Sequence, residues 1–197
     1  MKSINLSEAV HILRSGQILA APTDTVWGML CDPYNTDALE RMYQRKQRPR
    51  HKALQCLCAS TDIAASLCDL SNPDISHAFS RLSSFWPGGL TLLVPAKPSV
   101  PELLRPEGIV GVRVPDDRPL QWLLETCNGF AACSSLNLSG LEPVVCESQA
   151  DLYRDLYDAR LDSRPSGGRS STVYSIPLGR MVRLGDISQE DIEGKLR

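Results

Sequence analysis

Short apolar runs, each broken by glycine, proline or a polar cluster, alternate along this chain with stretches whose apolar residues recur at helical spacing. That alternation restricts the fold to the α/β class. Residues 17–21, 53–59, 90–94, 109–114, 131–134, 172–176 and 181–184 read as strands. Ser7 is placed to cap a first helix that carries Val10 and Leu13 and stops after Arg14, at Gly16. Asn35 or Thr36 opens a second helix, whose apolar Leu39, Met42 and Tyr43 repeat at helical spacing. One further turn puts Lys46 near the C-terminal end of that helix, ahead of Pro49. Further helices are expected from about Ser60, through Ile75, Phe79, Leu82 and Phe85, and from Pro119 to near Cys127, with Gly129 ending the last. Ser148 with Asp151, and Ser188 with Asp191, have the pattern of a polar cap and an acid three residues on. Several strands follow one another directly, so the expectation is a mixed sheet flanked by helices. No repeat or low-complexity linker divides the chain, and residues 1–197 are expected to form one domain.

No apolar run reaches membrane-spanning length, so no membrane association is expected. The opening MKSINLSEAV has no long apolar stretch after Lys2, which argues against a secretory signal. Seven cysteines are an odd number, contain no C-x-x-C pair and share no ligand spacing with His11, His51 and His77. Most sit in apolar contexts such as ALQCLCAS and FAACSS, where free cysteine behaves as a small core hydrophobe. A reducing compartment, the cytoplasm, and no protein-bound metal are the resulting expectations. The net charge of −2 excludes a general polyanion binder. Between Arg41 and Lys52, however, every ionised group is a cation, and no acid follows until Asp62. A local positive site of this kind suits an anionic small molecule better than a long nucleic acid.

Four polar clusters stand at the ends of apolar strands: PTDT (22–25), KQRP (46–49), SSLNLSG (134–140) and SGGRSST (166–172). In open α/β sheets ligands gather where strand ends converge, and hydroxyls, amides and glycines there bind phosphates or zwitterions. Each cluster also has a purely structural reading. PTDT can be a strand exit, Lys46 and Arg48 a solvated helix end, SSLNLSG a turn, and SGGRSST a mobile loop. No G-x-x-x-x-G-K-[ST] loop, G-x-G-x-x-G turn or G-x-S-x-G elbow is present. Any bound ATP would have to be held by lysine and arginine side chains.

Taken in order, the clusters resemble the YrdC-like threonylcarbamoyl-AMP synthases. APTDTVWG is similar to their P-T-[DE]-T-V-Y-G opening, KQRPRHKAL to K-x-R-P, FWPGGLTLLVP to W-P-G-P-L-T and VGVRVPDD to V-R-x-P-[DN]. SSLNLSG resembles T-S-A-N-L-S-G, and SSTVYSI followed by VRLGDIS resembles P-S-T-V followed by R-x-G. The matches run from about Ala20 to Ile187. The resemblance implies a twisted mixed sheet flanked by helices with a basic concave face (YrdC/RibB-like), in the short, single-domain form of the family. It implies that threonine, bicarbonate or carbon dioxide, and ATP are joined into threonylcarbamoyl-AMP with release of pyrophosphate, for a tRNA modification. Hand-over to the tRNA threonylcarbamoyl transferase complex, and contact with tRNA, are the partners it suggests.

By residue match, Lys46, Arg48, Ser135 and Asn137 fall on the nucleotide side, with Lys46 and Arg48 as the catalytic pair. Arg183 matches the late arginine near the phosphates. Arg113, Ser171 and, more loosely, Thr23 and Thr25 fall on the threonine side. Such a reaction depends mainly on positioning and charge neutralisation, shared with Mg²⁺ on the phosphates. No general base is evident. Trp27 stands in place of the usual Tyr, Gly89 of Pro, Leu136 of Ala beside Asn137, and Ser170 of Pro. The alternatives are a double-stranded RNA or tRNA-binding module, a related carbamoyl-adenylate enzyme, and an inactive relative that keeps only the fold. Since a helix-end lysine contributes little to stability, Lys46→Ala is expected to abolish turnover and leave the fold intact.

Overall fold

The computed structural model describes residues 3–162 and 168–197. In chain order its elements are β1 (Ser3–Ile4), α1 (Leu6–Arg14), β2 (Leu19–Ala21), β3 (Gly28–Cys31), α2 (Thr36–Arg45), β4 (Gln55–Cys58), α3 (Thr61–Leu67), α4 (Pro73–Leu82) and β5 (Leu90–Pro95). Then follow β6 (Ile109–Arg113), α5 (Arg118–Thr126), β7 (Phe130–Ser135), α6 (Glu147–Ala150), β8 (Ala159–Leu161), β9 (Thr172–Ser175), β10 (Arg180–Arg183) and α7 (Gln189–Leu196). The ten strands form one sheet in the order β1-β8-β2-β3-β7-β4-β6-β5-β9-β10. Pairs β1–β8, β2–β8, β4–β6 and β5–β9 are parallel and the other neighbours antiparallel, so the sheet is mixed, as expected.

Strands β1, β3 and β8 are not among those read from the sequence, whereas β2 falls within the expected 17–21. β1 and β8 are only two and three residues long, and all four residues of β3 are buried and apolar, so no polar–apolar alternation marks it. In β3 the segment GMLC also opens on glycine, a weak strand former. Two caps differ from expectation. The first helix begins two residues earlier than Ser7 suggests: Asn5 accepts from the Glu8 N–H while the Glu8 carboxylate accepts from the Asn5 N–H, a complete capping box. Ser148 lies inside α6, whose cap position is Cys146 and carries no capping side chain. Ser188 does cap α7, accepting from the Asp191 N–H.

The helices cover the two faces of the sheet unequally, and this positions the site. On one face Cys56, Cys58, Val110, Val112, Leu90 and Leu92 pack under Leu39, Met42, Ala64, Leu67, Phe79, Leu82 and Ile192 from α2, α3, α4 and α7. On the other, α1 and α5 bring Val10, Leu13, Leu120, Leu123 and Leu124 onto Leu19, Leu30, Leu57 and Ala131. Each fully buried leucine of this kind contributes roughly 1.5–3 kcal/mol over leaving it exposed. Helices α1 and α5 do not extend over the rest of their face, and a cavity occupies it. Because side chains alternate along a strand, that open face collects every second residue. A rung of register partners runs across it through Cys133, Gln55, Gly111, Leu93 and Ser175.

Candidate active site

A cavity of about 540 Å³ lies on the open part of the sheet. Its floor carries polar side chains that a helix-covered face would not tolerate: Gln55, Thr91, Arg113, Ser171 and Ser175. The four clusters are laced together around it by main-chain bonds. Gly168 N–H donates to Thr25 O (2.8 Å), Ser139 N–H to Lys46 O (3.0 Å), and Leu136 N–H to Trp27 O (2.7 Å). Ser166 and Gly167 of the fourth cluster lie outside the described residues.

Of the nine residues expected from the sequence, seven line this cavity: Thr23, Thr25, Arg48, Arg113, Ser135, Ser171 and Arg183. Lys46 and Asn137 do not. Helix α2 ends in a Schellman arrangement, with Gln47 N–H donating to Gln44 O (3.0 Å) and Arg48 N–H to Tyr43 O (2.9 Å). The reversal needs a left-handed residue, and Gln47 takes it at φ 51°. It sends Arg48 to the cavity and Lys46 inward, where Lys46 is 1% exposed. The Lys46 ammonium donates to Ser135 O, Asn137 O (2.7 Å) and Asn137 Oδ1 (2.8 Å), which uses all three of its protons. Burial, and then the Arg48 charge, push Lys46 down to about 7, while its three acceptors favour the protonated form. A buried, fully bonded lysine is a structural brace. The expectation that Lys46→Ala leaves stability untouched is therefore corrected.

Asn137 is equally committed. Its Oδ1 also accepts from Ser135 Oγ (2.6 Å), and Nδ2 donates to Leu138 O (2.9 Å) and Leu141 O (2.6 Å). Leu136, next in the turn, is fully buried in the core on the far side, so its bulk does not enter the site.

Arg48 and Arg183 are tethered along one edge, and Arg113 through all three of its nitrogens. Arg48 donates to Lys52 O (2.9 Å) and Ala53 O (2.7 Å). Arg183 donates through Nε and Nη2 to Ser171 O (3.1 and 2.8 Å) and through Nη2 to Ser171 Oγ (3.1 Å). Arg113 is 2% exposed; it donates to Gly88 O (3.0 Å) and Thr25 Oγ1 (2.8 Å) and pairs with Asp24. At least two of the five N–H donors of each guanidinium remain beyond these bonds. Burial and then the charges of Arg113 and Arg48 push Arg183 down, which shows that the three cations share one field. Thr23 and Thr25 are buried and bond one another (3.0 Å), with Thr23 Oγ1 donating to Val26 O (2.8 Å).

Residues missed from the sequence also line the cavity. Gln55, Thr91 and Ser175 are polar interruptions of apolar strands, a signal that was available in QCLC, LTLLVP and TVYS. Asp24 was unassigned within PTDT, yet it is the partner of Arg113. Trp27, also on the cavity wall, buries its indole N–H without a hydrogen-bond partner among the described residues.

The Sua5/YciO/YrdC family model, described as telomere recombination, matches residues 11–185. The chain is 35% identical to a Bacillus subtilis protein named threonylcarbamoyl-AMP synthase, over 95% of this chain but 55% of that relative. It is 30% identical to a Methylococcus capsulatus protein of the same name, over 93% of this chain and 98% of the relative. Among solved structures, P. abyssi Sua5 complexed with L-threonine superposes with a TM-score of 0.87 at 26% identity, covering 96% of this chain and 56% of that one. E. coli YciO superposes at 0.83 with 24% identity over 95% of this chain and 92% of its own, a likeness of fold. The chain belongs to the Sua5/YciO/YrdC family.

Proposed function

We propose that this family member is an L-threonylcarbamoyladenylate synthase, a nucleotidyltransferase that supplies threonylcarbamoyl-AMP for tRNA modification. The observation that carries the reading is the meeting of Arg48, Arg113 and Arg183 around one cavity, each held in place by hydrogen bonds with N–H donors left over. Three fixed cations suit a substrate set whose members are all anionic or zwitterionic: ATP, bicarbonate and threonine. The names of the relatives, and the threonine bound to P. abyssi Sua5, support the same substrates.

In the proposed reaction the threonine amine adds to carbon dioxide derived from bicarbonate, forming an N–C bond and releasing a proton. A carbamate oxygen then attacks the α-phosphorus of ATP, the bond to the bridging oxygen breaks, and pyrophosphate leaves. Arg48, Ser135 and Arg183 take the nucleotide side, and Arg113 with Ser171 the threonine carboxylate side. Thr25 supports this by orienting Arg113, and Thr23 by orienting Thr25. Lys46 and Asn137 act from beneath, fixing the turn that presents Ser135. Among the described residues no three His, Cys, Asp or Glu side chains converge to hold a metal. A Mg²⁺ ion would arrive on the ATP phosphates, its common mode, and share their neutralisation with the arginines. The test is pyrophosphate release by purified protein. Release that requires threonine and bicarbonate together supports the synthase, and release indifferent to threonine overturns it.

A further inference from the structure

A directed chain of hydrogen bonds crosses the cavity floor. Arg183 Nη2 donates to Ser171 Oγ (3.1 Å), Ser171 and Thr91 hydroxyls bond one another (2.9 Å), and Thr91 Oγ1 donates to Gln55 Oε1 (3.0 Å). An amide oxygen only accepts, so the single proton of Thr91 is spent on Gln55. The Ser171 proton must then point at Thr91, and Arg183 occupies the accepting side of Ser171. With Oε1 on Thr91, the protons of the chain run in one direction, from Arg183 through Ser171 and Thr91 to Gln55.

This fixes the Nε2 edge of Gln55 on the side away from Thr91. Its neighbours there are the register partners of Gln55: Cys133 on β7 and Gly111 on β6, which has no side chain. Sulfur is a weak acceptor, so the amide protons of Gln55 have no strong acceptor on this side; a Cβ at Gly111 would come within 3.2 Å of Leu93 Cδ2, so glycine there keeps the floor low beside Gln55. Gln55 is thus the half-buried residue of a strand otherwise buried, and it lines the cavity with its oxygen taken by Thr91 and Nε2 as its remaining polar group. Arg113 lies one register step along β6, since Leu57 pairs with Arg113 and Gln55 with Gly111.

Resting on the synthase reading above, we propose that Gln55 binds the amino-acid substrate, donating from Nε2 to a carboxylate oxygen whose charge faces Arg113. A carboxylate pairs with both groups as an acceptor; an ammonium or hydroxyl proton would meet only donors. Bicarbonate and the nucleotide are left to the other arginines.

The test is steady-state pyrophosphate release by Gln55→Glu and Gln55→Leu, with threonine, bicarbonate and ATP varied in turn and melting followed alongside. Gln55→Glu keeps the shape and the bond from Thr91 but replaces the donor with a negative charge. Its KM for threonine should rise about tenfold or more, with the KM for ATP unchanged, the loss of one bond to a charged group being of that size. Gln55→Leu should raise the threonine KM less, because it removes the donor without adding repulsion. An unchanged threonine KM in both variants, or an equal rise in the KM for ATP, overturns the proposal. Should Gln55→Glu fail to fold, Gln55→Leu alone decides by the same comparison. Loss of threonine dependence in the unmodified protein is a separate outcome, since it removes the synthase reading itself.

Discussion

Lys46 and Asn137 are joined by two hydrogen bonds, 2.7 Å to the main-chain carbonyl and 2.8 Å to Oδ1, across 91 residues of sequence. With Ser135 O as third acceptor, the lysine ties the end of α2 to the turn after β7. The pair sits behind the cavity wall, so its effect on substrates passes through Ser135.

Lys46→Ala therefore removes three hydrogen bonds and opens a void where the side chain was 1% exposed. Each buried acceptor left without a partner costs about 1–3 kcal/mol. The variant should unfold at clearly lower denaturant concentration and lose pyrophosphate release. Urea melts with the same midpoint as the parent would mean that water replaces the amine, and the bracing role would be wrong.

The same residue predicts a pH dependence. Its folded value, about 7, lies below the ordinary 10.5, so between these values the unfolded chain holds the proton more tightly. Stability then rises with pH across that window, because the folded state is penalised in full below 7 and the penalty fades towards 10.5. Lys46→Met lacks this term. Comparing the two proteins at about pH 6 and about pH 9, the stability difference should move in favour of lysine at the higher pH. A difference independent of pH would mean that the three acceptors hold the ammonium at its ordinary value.

How far this was readable beforehand depends on what alternation and charge can report. The ends of the strands were legible because polar clusters punctuate apolar runs, and Thr23, Thr25, Arg48, Ser135 and Ser171 lie in those clusters, whereas Arg113 and Arg183 came only from the family resemblance. Lys46 looked like a solvated helix end because sequence does not record that Gln47 adopts φ 51° and turns the lysine inward. Gln55 and Thr91 were overlooked because strands covered on both faces would carry no polar residue there. Only the unequal helix cover, a tertiary property, explains their presence.

Asp24→Asn should expose the cost of Arg113. The arginine is 2% exposed, and its pair with Asp24 is the charge compensation on that side of the guanidinium. Removing one partner of a fully buried pair costs about 3–5 kcal/mol; Asp24 is partly solvated, so about 1–3 kcal/mol is expected. A bound carboxylate can take over the compensation. Added threonine should therefore raise the melting temperature of the variant more than that of the parent, which scanning fluorimetry would detect. Equal increments would separate Asp24 from the amino-acid site.

Gln47→Gly tests the turn that divides Lys46 from Arg48. Glycine adopts the left-handed conformation without the Cβ clash that Gln47 bears. The variant should gain up to about 1 kcal/mol in urea unfolding, with unchanged turnover. Destabilisation would show that the Gln47 side chain makes a contribution larger than its backbone strain.

Thr172→Val probes the support behind Ser171 and Arg183. Thr172 is fully buried, and its hydroxyl donates to Ile187 O (2.7 Å) while accepting from Gly185 N–H (2.9 Å) and Ile187 N–H (3.0 Å). One side chain thereby closes the loop after β10 onto the start of β9, the strand that follows Ser171. Valine keeps the shape and strands all three backbone groups, although the partial exposure of Gly185 and Ile187 lets water reach some of them. A loss of about 1–3 kcal/mol is expected. Because Arg183 holds Ser171 through its main-chain carbonyl as well as its hydroxyl, a slackened loop should also raise substrate KM values. Thr172→Ser restores the hydroxyl without the methyl and should recover most of the KM. If serine and valine fall equally, the methyl packing holds this corner, and the hydroxyl does not.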